Sequence, residues 1–382
     1  MPFFRRVVTP ALTLLFTPRF VSAMATPVNL LDLASAAIAC TEVASRLIRN
    51  IASPDTDSNK NTRLKPDGSF VTDADFLAQG VILRALQTVS MDMTIVGEES
   101  PEEMAQHMDQ VEGLDPDVLA RAQREVRLRY HGVHESIDHW PLASLSTPLD
   151  VSTPLLPDDP PECLVDASRI RIFVDPLDGT KSYAQGDYDC VSILIGVMVD
   201  DRPVLGIVGK PFGYTGLDNL LDSGCATIYG GPLLRSVCVA GTAAPLEAKR
   251  PTQPRAVISG SRSQGIVHDF CVHLGTQGLL HPEPLHVNGA GEKSVRLILQ
   301  HHDEALWFFP KAGTSLWDVA ASDALLQALG GKLTDRYGNA MDYSKSRHEA
   351  ENKEGVVACI DPDLHRECLR IFHEWQVAEK DS

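Results

Sequence analysis

The stretch from Ile170 to Val208 constrains this chain more than any other. Ile170, Ile172 and Val174 alternate into Asp175, and the run continues as Asp175-Pro176-Leu177-Asp178-Gly179-Thr180. Apolar residues at every second position mark a strand with a buried face. The sequence therefore predicts a buried strand that delivers two carboxylates, three residues apart, into a Gly-Thr turn able to open a helix. Val191 to Val199 and Pro203 to Val208 then flank Asp200-Asp201-Arg202, which predicts an antiparallel hairpin. Ligands bind at strand ends in α/β sheets, and amides at a helix start suit phosphate oxygens. An Asx-rich turn with a helix cap accounts for the same residues, so this segment acquires a chemical meaning only alongside others.

Two helices precede it. Leu30, Leu33, Ala37, Cys40, Ala44, Leu47, Ile48 and Ile51 recur at helical spacing, as do Leu77, Val81, Ile82, Ala85, Leu86 and Val89 after a polar stretch from Ser53 to Gly68. Thr94-Ile95-Val96 reads as a short strand ending at Gly97-Glu98-Glu99. Residues 100–168 read as an insertion: Pro101 to Tyr130 is charged and helical, and Pro141 to Pro161 carries six prolines, so a surface excursion is expected. Beyond a Pro- and Ala-rich connection at 241–254, strands and helices alternate: Ala256 to Ser259, Leu285 to Val287, Glu292 to Gln300, Ala305 to Phe309 and Trp317 to Leu329. Val356 to Ile360 and a helix striped by Leu364, Cys368, Ile371 and Trp375 close the chain. At 382 residues, two packed units are expected. We divide them as 27–240, carrying the insertion, and 241–382.

Lys and Arg number 34 against 51 Asp and Glu, a formal charge of −17, which disfavours binding a nucleic-acid polymer. A small anionic substrate stays open if a site supplies local positive charge. The eight cysteines form no C-x-x-C pair and several lie in apolar runs, which predicts reduced, buried thiols. Residues 1–26 hold Arg5, Arg6 and Arg19 with no acid, and an apolar run from Ala11 to Phe16 too short to span a bilayer, so no stable membrane insertion is expected. A mitochondrial presequence leads our reading of this segment. A secretory cleavage site at Ala23-Met24-Ala25, or a start at Met24 that would leave the protein cytoplasmic, are the alternatives.

Further acidic residues change the weight of the Asp175–Thr180 segment. Glu98 and Glu99 end one strand, Asp75 follows Val71-Thr72-Asp73-Ala74, and Asp318 follows Trp317 at a helix start. Each alone is explained as a cap or a surface acid. If they converge, charges about 4 Å apart repel by roughly 4 kcal/mol at a surface-like dielectric. Bound cations make such convergence tolerable, and oxygen ligands without His or Cys point to Mg²⁺ acting on a phosphate ester.

The set Val71-Thr-Asp-Ala-Asp75, Val96-Gly-Glu-Glu-Ser100, Asp175-Pro-Leu-Asp-Gly-Thr180 and Trp317-Asp-Val-Ala-Ala321 resembles the Mg²⁺-dependent, lithium-sensitive phosphatases of the inositol monophosphatase superfamily, from about residue 29 to 375. Ser259-Gly-Ser-Arg-Ser263, Asn288-Gly-Ala-Gly-Glu-Lys293 and Gly330-Gly-Lys-Leu-Thr-Asp335 look most like its 3'(2'),5'-bisphosphate nucleotidase branch. The resemblance implies a layered αβαβα sandwich and hydrolysis of 3'-phosphoadenosine 5'-phosphate to AMP and phosphate, with the 5'-phosphosulfate relative as a second candidate substrate. It implies two or three Mg²⁺ ions on Glu98, Asp175, the Leu177 carbonyl, Asp178 and Asp318, and a water activated by Asp75 and Thr180. It also implies a substrate pocket of Gly179, Thr180, Ser261, Arg262, Ser263, Gln264, Gly289 and Lys293. Gln264 stands where that branch has a His. A monomer or a homodimer fits the sequence equally.

Rival readings differ in chemistry. Haloacid-dehalogenase-like phosphatases use an Asp nucleophile with their two carboxylates two residues apart; here the spacing is three, which turns the second side chain to the other face of an extended strand. Inositol polyphosphate 1-phosphatase or inositol monophosphatase activity would share the metal site. A metal and nucleotide sensor would keep the fold without turnover. Gly289-Ala-Gly291 is only a fragment of a dinucleotide fingerprint. His131, His134 and His139, without cysteine partners, read as solvated loop histidines before a zinc site.

Overall fold

A computed structural model describes residues 26–53, 62–65, 68–105, 107, 111, 113–134, 159–214, 217, 224–242, 245–249 and 251–381. In its first half lie β1 (Pro27–Asn29), α1 (Leu30–Ala52), β2 (Arg63–Leu64), β3 (Phe70–Val71), α2 (Asp73–Val89), β4 (Thr94–Gly97), α3 (Pro101–Met104), α4 (Pro116–His134), β5 (Leu164–Asp166), β6 (Ile170–Asp178), α5 (Thr180–Gln185), β7 (Ser192–Val199), β8 (Arg202–Lys210), β9 (Ala226–Gly231) and β10 (Ser236–Val239). The second half holds β11 (Arg255–Ser259), α6 (Ile266–Thr276), β12 (Leu285–Val287), α7 (Ala290–Leu299), β13 (Glu304–Phe309), β14 (Thr314–Ser315), α8 (Leu316–Ala328), β15 (Lys332–Thr334), β16 (Glu351–Asn352), β17 (Val356–Cys359) and α9 (Pro362–Asp381).

Two sheets form the skeleton. The first runs β10-β9-β8-β7-β6-β4, antiparallel except for the parallel β4–β6 pair, and the second runs β12-β11-β13-β17-β15. Helices α1 and α2 cover one face of the first sheet, α7 and α8 lie between the sheets, and α6 and α9 cover the far face of the second. This is the expected αβαβα layering. With helices on both faces, β7 buries Ser192 through Met198 without interruption, which is why its sequence is a continuous apolar run. The hairpin turn at Asp200 and Asp201 has φ of 50° and 58°, the geometry of a two-residue loop whose twist matches its strands.

Helix α1 starts where Asn29 accepts the Leu31 N–H at 2.8 Å, and its buried residues surround the helix more widely than one stripe. The reason is α4. Val118, Ala122, Val126 and Tyr130, one turn apart, are buried in the same cluster as α1, and Arg121 pairs with the buried Glu42. The expected surface excursion is therefore corrected over 116–134: the charged composition hid a core-facing stripe. His131 is buried on α4, its Nε2 4.0 Å from Asp159, and His134 ends the same helix, so neither is a loop histidine; His139 lies outside the described residues. The proposed targeting segment also lies outside them, apart from Thr26.

Helix α8 presses closest to the first sheet. A Cβ on Gly206 would fall 2.1 Å from the Ala321 carbonyl oxygen, and one on Gly196 2.5 Å from the Ala320 methyl, so the two glycines let the helix sit deep. On the outer side, Phe270, Phe308 and Phe372 pack with ring centroids 4.8 to 5.2 Å apart. All eight cysteines are free and buried, as expected. Among the described residues no helix is long and apolar enough to cross a membrane.

Candidate active site

Strands β4 and β6 run parallel and in register, Gly97 opposite Val174, so their carboxyl ends release Glu98 and Asp175 side by side. Asp178 ends β6 and Thr180 starts α5. Asp75 stands in the first turn of α2, Lys293 in that of α7 and Asp318 in that of α8. Helix N-termini thus gather around one cleft of about 820 Å³, an arrangement that favours anions. Glu98, Asp175, Leu177, Asp178, Gly179, Thr180, Ser261, Arg262, Gly289, Lys293 and Asp318 all line it. Ser263 is buried and Gln264 exposed, and neither is part of the lining.

Asp75 and Asp318 are both acidic helix caps; Asp318 lines the cleft, and the fully buried Asp75 lies behind Thr180 and outside the lining. Each is the acidic member of a capping box, with Thr72 and Ser315 as the partners. Asp75 Oδ2 accepts the Thr72 N–H at 2.8 Å and the Thr72 hydroxyl at 2.6 Å, which leaves Oδ1 facing Thr180 Oγ1 at 3.0 Å. Thr180 Oγ1 is also 2.9 Å from the Leu177 carbonyl oxygen. Its single proton can serve only one of these acceptors at a time. Burial pushes the Asp75 carboxyl up to about 7.

Carboxylate oxygens of Asp175, Asp178 and Asp318 come within 4.8 Å of one another. Burial, followed by the charges of Glu98, Asp178 and Asp318, holds Asp175 well above the usual carboxylate range. Burial and Asp178 raise Asp318 to about 7. Repulsion of this size is what a divalent cation relieves, and an all-oxygen donor set with no His or Cys suits a hard ion such as Mg²⁺. The residues present therefore fit the metal that the sequence implied.

Positive charge is supplied locally. Lys65, from the turn between β2 and β3, places Nζ 3.0 Å from Glu98 Oε1 and 2.7 Å from Glu99 Oε1. Burial opposes its charge, but Glu98 and Glu99 outweigh that and hold its ammonium above the usual lysine value. Lys293 is buried rather than solvated; its Nζ donates to the Gly289 carbonyl at 2.6 Å, and burial brings it down to about 8. The Arg262 guanidinium lies 5.0 Å from the Phe309 ring centroid and donates to the Gly313 carbonyl at 2.6 Å.

Asp178 joins the two halves. Its carboxylate accepts the N–H groups of Ala290 at 3.1 Å and Gly291 at 2.8 Å and the Ser192 hydroxyl at 2.9 Å. A Cβ on Gly291 would sit 2.2 Å from Ser192 Oγ, so Gly289-Ala-Gly291 serves this close approach. Sequence reasoning missed Lys65, Gln79, Arg347, Trp307 and Phe309. Only Gln79 left a local signal, as a polar residue one turn after Asp75 on the buried face of α2.

The sequence pattern of the inositol monophosphatase family matches residues 29–366. A Dictyostelium discoideum protein named 3'(2'),5'-bisphosphate nucleotidase 1 is 27% identical over 345 residues, 88% of this chain and 95% of the relative. The Mus musculus protein of that name is 34% identical over 195 residues, 50% of this chain and 57% of its own length. Among solved structures, an inositol monophosphatase from Anabaena superposes with a TM-score of 0.54 at 14% identity, covering 91% of this chain and 96% of that one, which is a likeness of fold.

Proposed function

Because the chain belongs to the inositol monophosphatase family of phosphatases, we propose that it is a Mg²⁺-dependent phosphomonoesterase acting on 3'-phosphoadenosine 5'-phosphate and related bisphosphate nucleotides. The observation that carries this reading is the meeting of Asp175, Asp178 and Asp318 within 4.8 Å, beside the Thr180–Asp75 pair. Glu98, Asp175, the Leu177 carbonyl, Asp178 and Asp318 would hold two or three Mg²⁺ ions. Such ions supply Lewis acidity toward the ester and lower the pKa of water at neutral pH.

The remaining steps belong to the side chains. Thr180 orients the attacking water: its hydroxyl accepts a hydrogen bond from the water and passes its own proton toward Asp75 Oδ1. A carboxyl titrating near 7 is suited to take that proton. Thr72 fixes Asp75 Oδ2 and so keeps Oδ1 aimed at Thr180. The water oxygen forms the new bond to phosphorus as the ester P–O bond breaks on the opposite side, the departing oxygen takes a proton from solvent water while Asp75 returns its own to solvent, and the products are a hydroxyl and inorganic phosphate. Lys293 and Arg262 supply charge for the second phosphate, and the buried Trp307 and Phe309 rings back them at 5.8 and 5.0 Å. The division at residue 241 would leave most of the metal ligands in the first half and Asp318 with the nucleotide pocket in the second. The Arg-bearing residues 1–26 support delivery to mitochondria, which N-terminal sequencing of native protein tests.

The direct experiment measures phosphate release from 3'-phosphoadenosine 5'-phosphate, its 5'-phosphosulfate relative and inositol 1,4-bisphosphate, with Mg²⁺ and with chelator. Mg²⁺-dependent turnover of the nucleotides over the inositol phosphate is expected. A reversed preference would transfer the reading to inositol phosphates, and no release from any of the three would refute it.

A further inference from the structure

We propose that Arg347 is a positioning residue for Glu98, holding the end of β4 from the second half of the chain so that the Glu98 carboxylate is aimed at Asp175. The inference rests on reading this cleft as a divalent-cation site. Its ground is the complete pairing of backbone polar groups after β4. Pairing with β6 ends as the Glu98 N–H donates to the Val174 carbonyl at 3.0 Å. Gln79, buried on α2, then serves both sides of the next residue: its Oε1 accepts the Glu99 N–H at 3.0 Å and its Nε2 donates to the Glu99 carbonyl at 2.8 Å. The carbonyls of Gly97 and Glu98 remain. Arg347 Nε donates to Gly97 O at 3.1 Å, and a terminal N–H₂ of the same guanidinium donates to Glu98 O.

Successive carbonyls at a strand end match the rigid planar fork of arginine, and a lysine's single ammonium does not reproduce that geometry. The base of Arg347 is itself fixed. It opens a short 3-10 turn, Arg347–Glu349, closed by mutual Ser346–Glu349 bonds. Just before that turn, Arg171 donates to the Lys345 carbonyl at 3.3 Å and Tyr343 donates to Asp323 at 2.9 Å. Peptide planes on both sides of the Glu98 Cα are therefore clamped, by Arg347 and by Gln79 with Val174. The Glu98 side chain departs from a backbone whose flanking N–H and carbonyl groups are all paired, and Lys65 meets its Oε1 at 3.0 Å. Partners that orient a ligand typically change metal affinity by 10- to 100-fold when removed.

The test uses the full chain, with Mn²⁺ titrated calorimetrically and metal-free unfolding followed in parallel. Arg347→Gln is expected to raise the Mn²⁺ dissociation constant roughly 10- to 100-fold, and Arg347→Lys to fall between it and the wild type. Arg171→Gln, which frees the same segment at Lys345 but leaves the guanidinium fork on Gly97 and Glu98 in place, should cost markedly less Mn²⁺ affinity than Arg347→Gln, separating aim from general loosening. Wild-type affinity in Arg347→Gln, or an equal loss in Arg171→Gln, overturns the inference while the cation reading stands. If Arg347→Gln does not fold, Arg347→Lys decides: reduced affinity supports the proposal and unchanged affinity overturns it. A wild-type protein that binds no Mn²⁺ refutes the cation reading itself, and the inference with it.

Discussion

Replacing Thr180 with valine tests the proposed chemistry with little change of shape. Valine is nearly isosteric and removes only the hydroxyl that lies 3.0 Å from Asp75 Oδ1 and 2.9 Å from the Leu177 carbonyl. Asp75 keeps both bonds from Thr72, so the fold loses about 1 to 3 kcal/mol at most. Turnover should fall much further. Positioned general-base assistance is worth roughly 10²- to 10⁴-fold, which corresponds to about 3 to 5 kcal/mol of barrier.

A signature in pH accompanies the loss. Burial lifts Asp75 to about 7, and the Thr180 bond is one of the contacts that hold it down. Without that bond the carboxyl rises further, so the acid limb of any residual activity moves to higher pH. Cations on the neighbouring carboxylates favour the charged form of Asp75, which places the wild-type limb at or below about 7. Phosphate release across neutrality, with thermal unfolding as control, reads both effects, and Thr180→Ser should retain most of the rate. A Thr180→Val enzyme within about threefold of wild-type kcat, with its Mg²⁺ dependence intact, would refute the proton path.

Asp178→Asn should abolish Mg²⁺-dependent turnover. Because both Asp178 oxygens accept bonds, it should also lower unfolding free energy by about 1 to 3 kcal/mol, since the new amide sets a donor against donors; wild-type turnover would remove Asp178 from the metal site. Lys293→Met should raise KM for doubly phosphorylated substrates roughly 10- to 100-fold with kcat largely kept. The wild-type KM should climb as pH passes about 8, where Lys293 loses its proton, and the variant should lack that limb; a KM unchanged by the substitution would sink the assignment. Asp323, lifted by burial from 3.8 to about 6, binds its proton more tightly when folded, so its contribution to stability is present at low pH and lost as pH rises through about 6. Chemical unfolding at two pH values should show Asp323→Asn gaining on wild type by up to about 3 kcal/mol above that pH, and a pH-independent difference would contradict the linkage.

Much of this architecture was written locally. The alternation into Asp175, the helical stripes of α1 and α2 and the Asp200-Asp201 turn each carry their own period or turn chemistry, and each formed where expected. The hairpin of β9 and β10 and the small strands β1, β5 and β15 were missed, because pairs this short depend on neighbours more than on pattern. Reading Asp75 and Asp318 as caps competed with reading them as site residues, and the geometry makes the two compatible. Arg347 could not be found from sequence: its partners lie 249 and 250 positions away, and nothing around it is periodic. Lys65 likewise meets Glu98 and Glu99 only after β2 and β3 have folded back.

The deep seat of α8 reaches beyond packing. Ala320 and Ala321 rest on Gly196 and Gly206 two and three residues past Asp318, so the helix works as a short lever whose fulcrum is a pair of missing methyl groups. A methyl at either glycine would force α8 to shift, and Asp318 with it, relative to the acids of β6. In the proposed cation site, the spacing of Asp318 from the acids of β6 is thus set in part from dry interior ground, by residues that line no part of the cleft.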